Sequence, residues 1–236
     1  MSRLAVVSGG GTGIGAAIAR VLMDDGFDVA VIGRRLEALE SVKGAQAIQA
    51  DLRDPMALEN VAKALGDREV DVVVNNAGGY IGRSTDDIGA VAQQWRDNFE
   101  TNVMTAVLLT ETLLPRLRRP GGRILLFSSI AAQRGGGGPY GAAKAALHGY
   151  VLNLATELGA EGVTANVISP GYIADTEFFA GRMTPEGHAA RVNATLVGRA
   201  GEPDDIAQAV RWLAGPQGGY VTGQIINING GSVLGR

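Results

Sequence analysis

Residues 4–15 read LAVVSGGGTGIG, an apolar run followed by a glycine-rich turn. Leu4–Val7 is apolar on both faces, which is typical of a strand in a sheet that is covered on both sides. Helical spacing of apolar residues begins at Ile14, so the turn joins a strand to a helix. Gly13 and Gly15 let the backbone come close to a pyrophosphate, whose charge the amino terminus of the helix attracts. The segment therefore predicts a dinucleotide-binding unit, although its GxxxGxG spacing differs from the commoner GxGxxG.

The same alternation of short apolar runs and helix-length segments continues along the chain. It predicts an α/β fold, a doubly wound parallel sheet (Rossmann fold) of about seven strands with helices on both faces. No Pro- or Ser-rich linker interrupts it, so residues 1–236 are expected to form a single domain. The predicted strands are Leu4–Val7, Val29–Ile32, Ala47–Ala50, Val70–Val74, Ile124–Phe127, Thr164–Ile168 and Ile225–Ile228. The clearest predicted helices are Ile14–Met23, Leu58–Leu65, Phe99–Leu117, Ala142–Leu158 and Asp204–Leu213.

The composition argues against several classes of protein. A net charge of −3 gives no electrostatic reason to expect a nucleic acid as partner. The absence of cysteine excludes disulfides and thiolate catalysis, and it fits a reducing cytoplasm. We find neither a signal peptide nor the run of about 20 apolar residues that would cross a membrane, so a cytoplasmic protein is expected. With two histidines and no tight acidic cluster, no metal site is predicted.

The end of the second predicted strand indicates which dinucleotide is bound. A carboxylate about 20 residues after the glycine turn binds a ribose 2′-hydroxyl, whereas arginine suits a 2′-phosphate. Here the strand ends Gly33-Arg34-Arg35, without an acid. A guanidinium binds phosphate through two parallel hydrogen bonds, and Arg34 is the favoured residue of the pair. The sequence therefore predicts NADP(H) rather than NAD(H).

Further short motifs follow the glycine turn in a fixed order. They are Asp51-Leu52 after strand three, Asn75–Gly78 after strand four, Asn102 in a long helix, Ser128-Ser129, Tyr140–Lys144, Pro170-Gly171, Gly223-Gln224 and Gly230-Gly231. Together they resemble the short-chain dehydrogenase/reductase family over essentially the whole chain. Within that family, the resemblance is closest to members like 3-oxoacyl-[acyl-carrier-protein] reductase.

The resemblance implies a set of site residues. The implied catalytic residues are Asn102, Ser129, Tyr140 and Lys144, and whether Ser128 or Ser129 faces the substrate stays open because the loop before Tyr140 is two residues short. Residues 171–200 would form a lid over the substrate. Glycine turn, strand ends and resemblance together give the cofactor-binding set Ser8, Gly9, Gly11, Thr12, Gly13, Ile14, Gly15, Gly33, Arg34, Arg35, Asp51, Leu52, Asn76, Ala77, Gly78, Tyr140, Lys144, Pro170, Gly171, Ile173 and Thr176.

The spacing of Tyr140 and Lys144 suits acid–base chemistry. Four residues apart on a helix, their side chains share one face. A free tyrosine has a pKa of about 10, and a neighbouring ammonium, helped by the cationic oxidised nicotinamide, is expected to lower it. Tyr140 would then exchange a proton with the substrate oxygen, Ser129 would position that oxygen, and Asn102 would hold a water linked to Lys144.

The sequence leaves the reaction open among three alternatives. The first is reduction of a ketone, including a 3-oxoacyl thioester, with NADPH. The second is an NADP-linked alcohol, sugar or steroid dehydrogenase, and the third is a cofactor-sensing regulatory protein without turnover. The expected partners are a small carbonyl or alcohol substrate, either free or linked to a carrier protein, and further copies of the chain in a homotetramer or homodimer.

Overall fold

A parallel β-sheet forms the centre of the computed structural model, which describes residues 2–82, 87–174, 176–179, 181 and 183–235. The strands are β1 (Arg3–Ser8), β2 (Phe27–Gly33), β3 (Gln46–Gln49), β4 (Val72–Asn75), β5 (Arg123–Phe127), β6 (Thr164–Pro170) and β7 (Ile225–Ile228). Their order is β3-β2-β1-β4-β5-β6-β7. The order reverses between β1 and β4, which confirms the predicted doubly wound sheet.

Helices cover both faces of this sheet, as predicted. The α-helices are α1 (Gly13–Asp24), α2 (Leu36–Glu40), α3 (Pro55–Leu65), α4 (Ile88–Phe99), α5 (Thr105–Leu113), α6 (Ala131–Arg134), α7 (Gly138–Leu158), α8 (Pro185–Asn193) and α9 (Pro203–Ala214). Leucine and valine side chains of α3, α5 and α7 pack on one face of the sheet. Apolar side chains of α1 and α9 pack on the other. Since the central strands are buried on both faces, their near-continuous apolar runs in the sequence are explained.

The turn between β1 and α1 is held against the turn that follows β4. Asn76 Nδ2 donates to the carbonyl oxygens of Ser8 (3.1 Å) and Gly9 (3.2 Å). In return, the backbone N–H of Ala77 donates to Ser8 Oγ at 3.0 Å. A Cβ on Gly15 would lie 2.1 Å from the carbonyl oxygen of Gly9, so the backbone crossing at this point excludes a side chain. The glycine-rich turn and the Asn75–Gly78 motif therefore form one structural unit.

The predicted helix Phe99–Leu117 is wrong in its bounds and its regularity. The helical stretch begins at Ile88, changes to a π-helix over Glu100–Met104, and ends in a 3₁₀ turn at Leu114–Arg116. Asn102 Nδ2 donates to the carbonyl oxygen of Asn98 at 3.0 Å, so a side chain enters the backbone ladder where the helix widens. A periodic apolar pattern does not reveal such a local change of pitch.

The predicted lid, residues 171–200, is more regular than a loop. It contains a 3₁₀ turn at Glu177–Phe179 and the helix α8, which begins after Thr184, whose hydroxyl accepts the backbone N–H of Gly187. Residues 175, 180 and 182 of the predicted lid lie outside the described residues. The Thr-Pro-Glu start of α8 is a helix-initiation signal that the sequence reading overlooked.

The contact at Gly15 predicts a stability difference between two Gly→Ala variants. Gly15→Ala should lower the free energy of unfolding by about 1–3 kcal/mol, since its methyl group would overlap the Gly9 carbonyl. Gly149→Ala, on an exposed position of α7 with no atom within 4 Å of the new Cβ, should raise it by up to about 1 kcal/mol. Urea denaturation of both variants measures the difference. Equal effects would contradict the close crossing at Gly15.

Candidate active site

The motifs predicted from the sequence meet at the carboxyl ends of the strands. The glycine turn follows β1, Asn76–Gly78 follows β4, Ser128 and Ser129 follow β5, and Gly171 follows β6. In an open α/β sheet this edge, next to the point where the strand order reverses, is where ligands bind. The fold thus brings the glycine turn, the Asn76–Gly78 turn and the two serines to one edge of the sheet.

Tyr140 and Lys144 lie in the first turns of α7 and are both buried. Their side chains are 8% and 4% exposed. Lys144 Nζ donates to the carbonyl oxygen of Phe127, the last residue of β5, at 2.8 Å, and lies 6.0 Å from the centre of the Tyr140 ring. The two groups predicted from their spacing therefore share one desolvated site.

Burial moves the pKa values of these two groups in opposite directions. It raises the pKa of Tyr140 to about 12, against the lowering effect of a hydrogen bond from Ser129. It lowers the pKa of Lys144 to about 8. The sequence argument expected the ammonium to lower the pKa of tyrosine. In the protein by itself, loss of hydration penalises the phenolate more than its neighbours stabilise it, whereas the expected lowering, which includes the cationic oxidised nicotinamide, stays a prediction.

The two serines after β5 have different surroundings. Ser128 Oγ donates to the carbonyl oxygen of Lys144 at 2.9 Å and lies 2.8 Å from His148 Nε2, so it ties β5 to α7. Ser129 hydrogen-bonds the hydroxyl of Tyr140 and accepts the backbone N–H of Ala131 at 3.2 Å. Of the pair, Ser129 is the residue beside the tyrosine. The sequence reading did not foresee the bond between Ser128 and His148, since no motif marks it.

Asn102 supports the turn that passes Lys144. Its Nδ2 donates to the carbonyl oxygens of Gly79 (2.8 Å) and Asn98 (3.0 Å), and its Oδ1 accepts the backbone N–H of Gly79 (3.0 Å). A Cβ on Gly78 would lie 2.7 Å from Asn102 Oδ1 and 2.9 Å from Lys144 Nζ. Both donor hydrogens of the amide are used by backbone oxygens, so the side chain positions the turn.

Aromatic rings enclose Tyr140. The ring of Tyr80, from the loop after β4, lies 5.8 Å from it in an edge-to-face arrangement. The ring centre of Phe178, in the lid, lies 5.7 Å from that of Tyr140. The ring of Phe179 packs against Phe178, with 4.9 Å between the ring centres. The sequence predicted the lid but not the contact of Tyr80, which lies two residues beyond the Asn75–Gly78 motif.

The cofactor side of the cleft carries several ion pairs. Arg35 pairs with Glu177 of the lid, and Thr12 Oγ1 donates to the same carboxylate at 3.1 Å. Asp51, expected near the adenine, pairs with Arg53, and the hydrogen bond from this guanidinium lowers the pKa of Asp51 to about 2. These pairings were not foreseen, because they join a strand end to segments distant in the sequence or depend on a local turn.

The remaining predicted cofactor residues divide between the cleft and the packing around it. Gly13 faces the lid, where its Cβ would lie 3.5 Å from Thr176 Cγ2. Gly11 and Gly33 lie against α2, and Leu52 is buried in the core. Ile173 is buried in the core on the other face of the sheet and forms a β-bridge with Gly201. A Cβ on Gly171 would lie 2.7 Å from the Cα of Asn229. Of these residues, Gly13 lies at the lid, whereas the others contact α2, the core or Asn229.

The described part of the chain contains no helix that is both long and apolar enough to cross a membrane. No group of three or more acidic or histidine side chains within it could hold a metal ion.

The chain is similar to known proteins over almost its entire length. The profile of a family described as enoyl-(acyl carrier protein) reductase matches residues 9–232. Acetoacetyl-CoA reductase of Rhizobium meliloti is 38% identical and 3-oxoacyl-[acyl-carrier-protein] reductase of Vibrio cholerae is 35% identical, each over 98% of both chains. The crystal structure of a short-chain dehydrogenase from Burkholderia cenocepacia in complex with NADP has a TM-score of 0.85 and 33% identity, covering 98% of this chain and 97% of that one.

These similarities in sequence extend over almost all of the chain, and they are consistent with its strand order and with the motifs that meet at one edge of the sheet. The chain belongs to the short-chain dehydrogenase/reductase family.

Proposed function

We propose that this chain is an NADP(H)-dependent oxidoreductase that interconverts a ketone and a secondary alcohol, with Tyr140 as the group that exchanges the proton. The observation that carries the proposal is the cluster of the buried Tyr140 and Lys144 with the half-buried Ser129 at the carboxyl ends of the strands. A phenol, a hydroxyl and an ammonium in one desolvated site can donate hydrogen bonds to a carbonyl oxygen and stabilise charge that develops on it.

The residues at the strand ends suit a dinucleotide. The crossing at Gly15 leaves backbone without side chains at the amino terminus of α1, which favours a pyrophosphate. Arg34 and Arg35 at the end of β2 suit a 2′-phosphate, and NADP is present in the related structure from Burkholderia cenocepacia. Bound NADPH would supply the hydride. Of the two arginines, Arg35 is paired with Glu177, whereas no ion pair of Arg34 is found among the described residues.

The pKa directions favour the reductive reaction at neutral pH. With its pKa raised to about 12, Tyr140 holds its proton at pH 7 and can donate it to the oxygen of a carbonyl that is being reduced. Ser129 donates toward the same oxygen from the end of β5. Lys144, with a pKa of about 8, is still largely an ammonium at pH 7 and stabilises the phenolate that remains after proton donation.

The walls of the cleft support a substrate with an apolar part next to its ketone. Tyr80 and Phe178 lie against the Tyr140 ring, and Phe179 extends the apolar surface into the lid. Two relatives are named as reductases of acyl thioesters. We therefore favour a 3-oxoacyl thioester over a sugar as substrate, since a sugar would bring hydroxyl groups against these rings. A regulatory protein without turnover is disfavoured by the intact Tyr140–Lys144 arrangement.

Assembly of the chain into a homodimer or homotetramer is part of the same proposal. Trp95 and Phe99 of α4 and Leu152 of α7 are exposed, at 43%, 36% and 55%. The two helices that carry these side chains pack against each other. Exposed aromatic and leucine side chains of this kind are typical of protein interfaces.

The pairing of Arg35 predicts which arginine selects the cofactor. Arg34→Ala should weaken NADPH binding by about 1.5–3 kcal/mol, roughly ten- to hundred-fold, because a charge-assisted contact to phosphate is lost. It should hardly affect NADH, which lacks the 2′-phosphate. Fluorescence titration with both cofactors measures the difference, and Arg20→Ala, on the exposed side of α1, controls for the change of charge. Equal affinity of the unmodified protein for the two cofactors would contradict the assignment of NADP(H).

The surroundings of the two serines predict different losses of turnover. Tyr140→Phe should keep the fold and NADPH binding but lower kcat by at least ~10²–10⁴, the range ascribed to general acid–base catalysis. Ser129→Ala should lower kcat, because Ser129 hydrogen-bonds the Tyr140 hydroxyl. Ser128→Ala should instead lower the melting temperature, because Ser128 ties β5 to α7.

Steady-state reduction of acetoacetyl-CoA and thermal unfolding of the same preparations separate these effects. Near-normal turnover in Tyr140→Phe would overturn the proposed mechanism. A larger loss of kcat in Ser128→Ala than in Ser129→Ala would reassign the role of the two serines.

A further inference from the structure

A second pocket lies at the opposite edge of the sheet from the candidate active site. Its volume is about 410 Å³, and it lies between the start of β6 and the segment that leads into β7. Thr164, Gly219 and Thr222 are part of its lining, and the fully exposed side chain of Tyr220 stands at it. Because the strands are parallel, this edge carries their amino ends, so the pocket is separate from the cleft that Tyr140 occupies.

A buried guanidinium adjoins this pocket. Arg123 is the first residue of β5 and is 8% exposed, which makes it the only buried arginine among the residues that the structure describes. Its register partner on β6 is Thr164, so the two side chains leave the sheet next to each other. A Cβ on Gly219, in the pocket lining, would lie 3.3 Å from Arg123 Nη2. The guanidinium therefore reaches the pocket wall.

The charge of Arg123 is not balanced by the chain itself. Nη1 donates to the carbonyl oxygens of Gly121 (3.0 Å) and Gly122 (3.1 Å), whereas the buried Nε has no partner. Other arginines pair with carboxylates, but none of the ion pairs within the described chain includes Arg123. Burial, with no acidic neighbour, accounts for the lowered pKa of Arg123. An arginine nevertheless remains charged in proteins, so an opposite charge would be stabilising here.

An unpartnered hydroxyl lies beside this charge. Thr164 Oγ1 is buried without a hydrogen-bond partner, although Thr164 belongs to the pocket lining. Buried polar atoms normally have partners, and an exception calls for an explanation. A guanidinium and a hydroxyl at one pocket wall form a donor set that suits the oxygens of a phosphate group.

We propose that this pocket binds a small phosphate-bearing anion, with the Arg123 guanidinium as its counter-charge and the Thr164 hydroxyl as a further donor. The anion neutralises the only buried arginine of the described chain and brings an acceptor next to two unpartnered groups. The inference is independent of the proposed oxidoreductase activity, because it uses no residue of the cofactor cleft.

Thermal unfolding with inorganic phosphate as the probe tests the site. The background is the Arg34→Ala/Arg35→Ala protein, which removes the arginines expected to bind phosphate in the cofactor cleft. Phosphate at about 50 mM, with sodium chloride keeping the ionic strength constant, should raise the melting temperature by about 2–4 °C. Arg123→Met in the same background should abolish this shift, and Thr164→Val should reduce it. Arg20→Met, which removes an exposed charge on α1, should keep the full shift.

The phosphate-free measurement keeps the proposal falsifiable if one variant is less stable. Without phosphate, Thr164→Val should melt no lower than its parent, because it replaces an unsatisfied hydroxyl by a methyl group of similar size. Arg123→Met loses the hydrogen bonds from Nη1 to Gly121 and Gly122, so its phosphate shift is measured against its own phosphate-free melting temperature. A phosphate shift that persists in Arg123→Met would overturn the proposal. So would a loss of oligomer in Arg123→Met, seen by light scattering, without any phosphate effect in the parent. That result would assign the charge to a carboxylate of a second copy.

Discussion

The candidate site depends on the burial of one ammonium group. Lys144 Nζ is held by the carbonyl oxygen at the end of β5, and this bond fixes the start of α7 against the sheet. A buried ammonium is stable only when polar groups lie within hydrogen-bond distance of it. The backbone that supplies or adjoins these groups must therefore pass close to the nitrogen. The turn after β4 accordingly has Gly78 where a Cβ would lie 2.9 Å from Nζ. Asn102 holds that turn through both backbone groups of Gly79, and it does so from a π-helix.

The same burial explains how two weakly reactive groups could divide the work of one proton transfer. Desolvation keeps the proton on Tyr140 and loosens the proton on Lys144, so the neutral phenol is the donor that the site presents near pH 7. Donation leaves a phenolate beside a cation, and each then stabilises the other. The sequence predicts that the ammonium, helped by the oxidised nicotinamide, lowers the pKa of Tyr140. In the protein by itself, the loss of hydration outweighs the effect of the ammonium.

Features that depend on periodicity or on short motifs could be predicted from the sequence. The alternation of apolar runs predicted seven parallel strands, because the central ones are buried on both faces. The spacing of Tyr140 and Lys144 predicted that they share a helix face. The sequence could not show the π-helix at Asn102, the bond between Ser128 and His148, or the pairing of Arg35 with Glu177. These features depend on contacts between segments that only the fold brings together, as does the unpaired charge of Arg123.

Titration of Lys144 tests the central claim most directly. The chain has three lysines, so an NMR spectrum of protein labelled with ¹⁵N at the lysine side chains contains few signals, and Lys144→Met assigns the one of interest. The exposed Lys43 and Lys63 serve as internal references. The account predicts that the Lys144 amine titrates with a midpoint near pH 8. A midpoint at the ordinary lysine value of about 10.5 would contradict the claim that a buried ammonium organises the site.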